Sequence, residues 1–173
     1  NMSIAVIRPS FAKPALMRPC RLGRAPPMKC SVSRSIRIIT GAMALGVGRA
    51  ALAEAHRYAG ERKQFGKTID RYQAIQFKLA EMATELEAAT HLVMYAAWLK
   101  DSHKPHHKEA AMAKFFATET GARVCDQAAR VLASYGFAME YPVQRYLRDI
   151  RFTLIGGGTS EILRLVIAKE LSA

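Results

Sequence analysis

Acidic residues are missing from the first third of this chain. Residues 1–53 contain no aspartate and no glutamate, and Glu54 is the first acid. Nine of the twelve net positive charges of the 173-residue chain lie in that segment, which leaves three for the remaining 120 residues. A strongly basic protein usually suggests nucleic acid or an anionic membrane as a partner. Here the charge belongs to one segment, so it says little about the partners of the rest.

Cysteine and long apolar runs are also scarce. The three cysteines, Cys20, Cys30 and Cys125, are odd in number and form no C-x-x-C pair. This argues against a disulfide framework and a structural zinc site, and it favours a reducing compartment. The longest apolar run, Ile38–Val47, stops before Arg49. It is too short to span a bilayer, so we expect no membrane span.

Residues 1–33 carry little sign of regular structure. Five prolines between positions 9 and 27 interrupt any periodicity, and the segment is predicted to be irregular or disordered. An organellar transit peptide, a translation or cloning artefact and a disordered tail all fit; we favour the last two. Binding of nucleic acid or an anionic membrane through residues 1–37 ranks last, because Phe11 is the one aromatic residue among the basic ones.

Residues 34–173 have helical periodicity instead. The apolar spacing predicts helices over 35–62, 72–100, 108–134 and 142–148, and a last one that ends near 171. A loop is expected over 65–70, and no stretch alternates as a strand does. Three long helices and a shorter terminal one, joined by short loops, predict an all-α, antiparallel four-helix bundle.

Small residues in the first helix bear on association. Gly41, Gly46 and Gly48 weaken an isolated helix but allow a partner helix to approach closely. Half of the chain is hydrophobic, more than one small bundle needs. We therefore expect this domain to self-associate.

The stretch Ile155–Ile162, IGGGTSEI, is a candidate ligand-binding turn. Three glycines let backbone approach a ligand, and Thr159 or Ser160 is a good N-cap for the apolar helix that follows. Free N–H groups at a helix start attract anions. The stretch is not a Walker A loop, because no Lys-Ser/Thr pair follows at the required spacing.

Two further polar clusters are weaker candidates. His103, His106 and His107 could bind a metal, but a Lys-rich turn without nearby acids favours a solvated loop. The loop around Phe65 carries Arg62, Lys63 and Lys67, and it could hold a phosphate or simply end a helix with cations.

The order of several motifs resembles the C-terminal helical domain of acyl-CoA dehydrogenases from about Ser35 to Ala173. The motifs are ERKQFGK at 61–67, QAIQ at 73–76, LAEM at 79–82, GF at 136–137, EYPV at 140–143, YLRD at 146–149 and GGTSEI at 157–162. A complete subunit of that family adds an N-terminal helical domain and a middle β-domain. It binds FAD and oxidises an acyl-CoA to the 2-enoyl-CoA, with a carboxylate removing the α-proton.

The resemblance implies roles for individual residues. Arg62, Gln64 and Phe65 would contact FAD of a neighbouring subunit, and Gln73 would also face the cofactor. Thr159 and Glu161 match positions that meet the FAD phosphates and ribose. Arg37 and Gly158 match groups beside the acyl-CoA and its thioester. The implied assembly is a homo-oligomer, a dimer or a tetramer, in a bacterial cytoplasm or a mitochondrial matrix.

The chain departs from the family at both usual positions of the catalytic base. One aligns with Gly157 and the other with Ile36, and neither can take a proton. Glu161 matches a cofactor-contacting position and is not assigned as the base. Restoring glutamate at position 157 is therefore expected to create or raise dehydrogenation, unless another segment supplies the base.

Two other departures concern binding. Ala133 and Ser134 stand where many members have a Gly-Gly pair beside the adenosine of FAD, and Arg34 replaces an acid one turn before Arg37. Because the β-domain is absent, the isolated chain should bind FAD weakly or not at all. The leading interpretation is the C-terminal domain of an acyl-CoA dehydrogenase; the alternative is a non-catalytic helical subunit that acts in assembly.

Overall fold

The computed structural model describes residues 31–172. Five α-helices lie in this part of the chain: α1 (Ser31–Glu61), α2 (Gln73–Asp101), α3 (His107–Leu132), α4 (Val143–Ile155) and α5 (Ser160–Leu171). The all-α prediction is confirmed. The irregular extension predicted for 1–33 lies, up to residue 30, outside the described residues.

Helix α3 is the centre of the fold, because it packs against α1, α2, α4 and α5. Its buried positions are mostly small, including five alanines and Gly121. Small side chains allow the axes of neighbouring helices to lie close together. Cys125 is one of these core residues, and burial raises the pKa of its thiol to about 12, which suits packing rather than reactivity.

The contact between α1 and α3 explains two of the three glycines in the first helix. Gly41 and Gly48 face other helices within the bundle, whereas a Cβ on Gly46 would meet nothing within 4 Å. On α3, a Cβ on Gly121 would lie 3.0 Å from the carbonyl oxygen of Ala44. The expected close approach therefore occurs inside one chain, and these glycines give no support for association between chains.

Two local predictions were wrong. The predicted 142–148 helix continues as α4 to Ile155, because Ile150 and Thr153 extend its buried face and no helix breaker occurs before Gly156. The predicted loop after α1 contains an antiparallel hairpin of two short strands, β1 (Lys63–Gln64) and β2 (Lys67–Thr68), followed by a 3₁₀ turn, Ile69–Arg71. Phe65 and Gly66 both have positive φ, as a two-residue hairpin turn requires.

Helix α1 meets the length and composition criteria for a membrane span over Arg34–Glu61. One such helix is weak evidence, because a core helix of a bundle passes the same test. In this fold 44% of its apolar window is buried, and its partners are the other helices.

Alanine substitution should separate the packed glycine from the open one. Gly121→Ala is expected to lower the free energy of unfolding by about 1–2 kcal/mol, because the new methyl group presses on the α1 backbone. Gly46→Ala should raise it by about 0.5–1 kcal/mol, because it adds helix propensity without a clash. Urea denaturation measures both; a gain at both positions would contradict the close packing of α1 on α3.

Candidate functional site

The glycine turn joins α4 to α5. Gly157 and Gly158 have φ values of +76° and +112°, which glycine adopts without strain and other residues rarely adopt. Thr159 is the N-cap of α5, since its extended backbone lets its hydroxyl oxygen accept from the N–H of Ile162 at 3.5 Å. The predicted turn and the predicted cap are therefore confirmed.

A buried lysine of α3 lies beneath this turn. Lys114 is fully buried, and its Nζ donates to the carbonyl oxygens of Leu154 at 3.1 Å and Gly158 at 2.6 Å. Burial lowers the pKa of its ammonium group; the nearby Glu119 carboxylate opposes that shift and the Arg37 guanidinium adds to it. Lys114 was not among the residues predicted from the sequence, although a lone cation within the apolar run Ala110–Phe116 was a usable signal.

Two carboxylates lie at the start of α5. Glu119 of α3 accepts a hydrogen bond from the hydroxyl of Ser160 at 2.5 Å. Glu161 is exposed in the first turn of α5, and its own backbone N–H and the Thr159 hydroxyl lower the pKa of its carboxyl. A carboxylate with a lowered pKa is a poor proton acceptor, which agrees with leaving Glu161 out of the role of base.

The first turns of α1 pack against the same turn. A Cβ on Gly157 would lie 3.2 Å from Thr40 Oγ1 and 3.4 Å from Ile36 Cγ2. The two positions identified as alternative sites for a base are therefore neighbours in space, and both side chains are non-acidic. Arg37 is buried, at 8% exposed, while Ile36 is 44% exposed. Arg37, Gly158, Thr159 and Glu161 thus belong to one end of the bundle.

The other predicted cofactor residues lie at the opposite end of α1. Arg62, Gln64 and Phe65 are exposed on the hairpin, with Phe65 93% exposed, and Gln73 is exposed at the start of α2. A helix rises 1.5 Å per residue, so Ile36 and the end of α1 are roughly 38 Å apart. One chain does not bring the two groups together.

The segment after α3 belongs to the hairpin end. The Arg62 guanidinium lies over the Tyr135 ring, 5.9 Å from its centroid. Ala133, in the place of a family glycine, has φ 53° and ψ −125°, a conformation that favours glycine. Helix α3 therefore ends at Leu132, with Ala133 as its C-cap, whereas the predicted helix ended at Ser134. Gly136 is required by packing, since a Cβ there would lie 2.3 Å from the carbonyl oxygen of Ala129.

The histidines have separate partners. His106 Nδ1 lies 2.8 Å from the carbonyl oxygen of Lys104, and His107 Nδ1 lies 2.9 Å from Glu170 Oε1. Across residues 31–172, no group of three or more His, Cys, Asp and Glu side chains is arranged to hold a metal ion.

The fold and the glycine turn have counterparts in known proteins. The protein-family model of the acyl-CoA dehydrogenase C-terminal domain matches residues 34–172 of this chain. This chain belongs to the acyl-CoA dehydrogenase family. Benzylmalonyl-CoA dehydrogenase of Aromatoleum aromaticum is 80% identical over 138 residues, which are 80% of this chain and 37% of that protein. The mitochondrial short-chain specific acyl-CoA dehydrogenase of Bos taurus is 49% identical over 135 residues, 78% of this chain and 33% of the relative.

Solved structures agree with these relatives. Butyryl-CoA dehydrogenase from Megasphaera elsdenii has a TM-score of 0.81 at 41% identity, over 82% of this chain and 37% of the other. The chain therefore spans little more than a third of the length of the relatives it matches. The predicted family, domain and fold are confirmed, and the relatives come from bacteria and from mitochondria.

Members of this family are FAD-dependent flavoproteins. The residues present fit such a group: the glycine turn opens the 12-residue helix α5, whose N-terminal N–H groups suit a phosphate. The exposed Arg62 and Phe65 provide a cation and an apolar ring at the other end.

Replacing Ala133 by glycine should stabilise the chain. Its positive φ costs on the order of 1 kcal/mol or more, and glycine removes that strain. Thermal unfolding should show a midpoint about 2–4 °C higher. Ala88→Gly, at an exposed position within α2, is the control and should lower the midpoint by a similar amount. A loss of stability in both variants would contradict strain at position 133.

Proposed function

We propose that this chain is the C-terminal domain of an FAD-dependent oxidoreductase that converts an acyl-CoA to a 2-enoyl-CoA. The observation that supports the proposal is the glycine turn, which accepts a hydrogen bond from Lys114 and packs against the start of α1. Within this domain, Thr159 and Glu161 would bind FAD of the same subunit. Arg62, Gln64, Phe65 and Gln73 would bind FAD of a neighbouring subunit, and Arg37 and Gly158 would lie beside the acyl-CoA.

The missing base points to a particular substrate class. Gly157 and Ile36 are adjacent and non-acidic, so neither can remove an α-proton. Benzylmalonyl-CoA, named in the most similar of the relatives cited above, is a thioester whose α-carbon carries a carboxylate. Loss of that carboxylate as CO2 leaves an electron pair on the α-carbon without any base. We therefore propose a substituted malonyl-CoA as the substrate.

The proposed reaction balances without an enzyme carboxylate. The bond from the α-carbon to the carboxylate breaks, CO2 leaves, and the electron pair remains as the enolate of the thioester. A hydride then leaves the β-carbon, and the α,β double bond forms. FAD supplies the hydride acceptor when bound. Because Gly157 and Ile36 are non-acidic, neither residue places a like charge beside the substrate carboxylate.

The rival interpretation is a non-catalytic subunit of this family that acts in assembly. It also accounts for the absence of a base at both positions. A rigid, well-packed bundle with an exposed hairpin suits either role. Only the complete protein with its flavin distinguishes them.

Two matched thioesters test the proposal in the complete protein. Benzylmalonyl-CoA and 3-phenylpropanoyl-CoA differ by the α-carboxylate alone. We expect the first to be oxidised with release of CO2, and the second at least about a hundredfold more slowly, since general-base catalysis contributes that much. Equal rates would show that another segment supplies a base. No bound flavin and no reaction would favour the non-catalytic subunit.

Placing a carboxylate at position 36 should restore oxidation of the simple thioester. Ile36 is half-exposed on a helix and lies beside Gly157, so glutamate fits there without strain. Ile36→Glu is expected to raise the rate with 3-phenylpropanoyl-CoA about a hundredfold. Gly157→Glu should do less, because the backbone has a positive φ and the new Cβ crowds Thr40.

Ile39→Glu is the matched control, since Ile39 is 57% exposed on the same helix and is not among the nearest contacts of Gly157. Equal rates for the two variants would overturn the missing-base explanation.

Self-association is the second part of the proposal. The two groups of cofactor residues lie at opposite ends of α1, so a complete FAD site needs two copies. Exposed apolar side chains on α2, which include Met94, Tyr95 and Trp98 at 64%, 51% and 51% exposed, offer contact surface. A homo-oligomer, a dimer or a tetramer, follows.

Sedimentation velocity checks this assembly at tens of micromolar, roughly where a weak specific interface registers. We expect a species heavier than the 19.1 kDa monomer, which Met94→Glu weakens by charging the apolar face of α2. Met139→Glu, also at an exposed methionine, should leave the assembly unchanged. A monomeric wild-type chain would contradict the proposal.

A further inference from the structure

Lys114 is a buried cation whose two acceptors lie 40 and 44 residues further along the chain. Its Nζ donates to the carbonyl oxygens of Leu154 and Gly158. One acceptor is in the last turn of α4, and the other is in the glycine turn itself. A single side chain of the central helix therefore fixes both the end of α4 and the main chain that follows.

The end of α4 explains the need for this cation at Leu154. The last carbonyl groups of a helix have no partner within the helix and need one from elsewhere. The N–H of Gly156 donates to Phe152 at 2.8 Å, and the N–H of Gly158 donates to Ile155 at 3.2 Å. Lys114 serves the carbonyl of Leu154, where a positive charge also complements the helix dipole.

The bond to Gly158 has a different consequence. Gly157 and Gly158 carry no Cβ, so side-chain sterics do little to fix the peptide that follows them. In a planar trans peptide the C=O and N–H groups point in opposite directions. Because the carbonyl of Gly158 faces the buried ammonium, the N–H of Thr159 points away from Lys114. The ammonium also polarises this peptide and strengthens its N–H as a donor.

The start of α5 is held separately. Ser160 bonds to Glu119 through its side chain, and Thr159 caps the helix through its own hydroxyl. These contacts locate the helix, but neither involves the carbonyl of Gly158. The orientation of the peptide between Gly158 and Thr159 depends on Lys114.

We propose that Lys114 is a positioning residue of the candidate site. It holds the Gly158–Thr159 peptide in the orientation that directs the Thr159 N–H, together with the first N–H groups of α5, toward an anionic ligand. Lys114 does not touch the ligand. The identity of that ligand as FAD rests on the proposed function. The fixing of the Gly158–Thr159 peptide by Lys114 does not.

Hydrogen exchange in the 173-residue chain tests whether Lys114 fixes the glycine turn. Lys114→Met removes the donor and keeps an apolar stem of similar length. The amides of Gly158 and Leu163, bonded to Ile155 and Thr159 at 3.2 and 3.0 Å, should exchange about tenfold faster. Exchange in the middle of α1 should change no more than in the control.

The control is Lys78→Met. Lys78 Nζ donates to Gln127 Oε1 at 2.6 Å and links α2 to α3 away from the turn. Lys114→Gln retains a neutral donor and should show a smaller increase in the exchange rate of the turn amides. This variant is used for the test if Lys114→Met does not fold. Unchanged exchange at the turn, or a uniform increase along the chain, would overturn the proposal.

Flavin binding by the complete protein tests the ligand. The dissociation constant of FAD, measured by flavin fluorescence, should rise about tenfold in Lys114→Met and stay unchanged in Lys78→Met. An unchanged dissociation constant of FAD in Lys114→Met would show that Lys114 does not position the turn for FAD binding. If the wild-type protein binds no FAD, the proposed function fails, and the exchange result still decides whether Lys114 locks the turn.

Discussion

Close packing around α3 is the constraint on which the rest of the structure depends. One helix must contact four others, so its buried side chains are small and the backbones lie close together. Gly121 marks one close approach of two backbones, against the carbonyl oxygen of Ala44. Buried main-chain carbonyls need hydrogen-bond donors, and the buried Lys114 of α3 donates to two of them beneath the glycine turn.

The bundle separates its candidate binding groups by the length of α1. The glycine turn and Arg37 lie near one end, while the hairpin with Phe65 and the strained Ala133 lie at the other. In the proposed assembly, each group forms one side of a cofactor site. The domain carries both groups on one helical bundle. Such a bundle fits the proposed role as one domain of an FAD-dependent oxidoreductase.

The sequence predicted the helices well because their apolar residues recur with a helical period. The glycine turn and the Thr159 cap were also predictable, since each follows from residue types at adjacent positions. The hairpin was not, because its strands are only two residues long and carry no alternating apolar pattern. The continuation of α4 to Ile155 was not predicted, because the burial of Ile150 and Thr153 is apparent only in the fold. Lys114 was missed for another reason: its partners are distant in sequence, and spacing along the chain carries no signal for them. The proximity of Ile36 to Gly157 likewise required the fold.

The distance between the two ends of α1 links two equilibria that are usually measured separately. If one FAD molecule is held by the turn of one copy and the hairpin of another, binding of the cofactor favours the assembled state, and assembly favours binding by the same factor. Apparent affinity for FAD then depends on protein concentration. On dilution, subunit dissociation and flavin loss would occur together, so the yellow colour of a concentrated sample would itself report on its state of assembly.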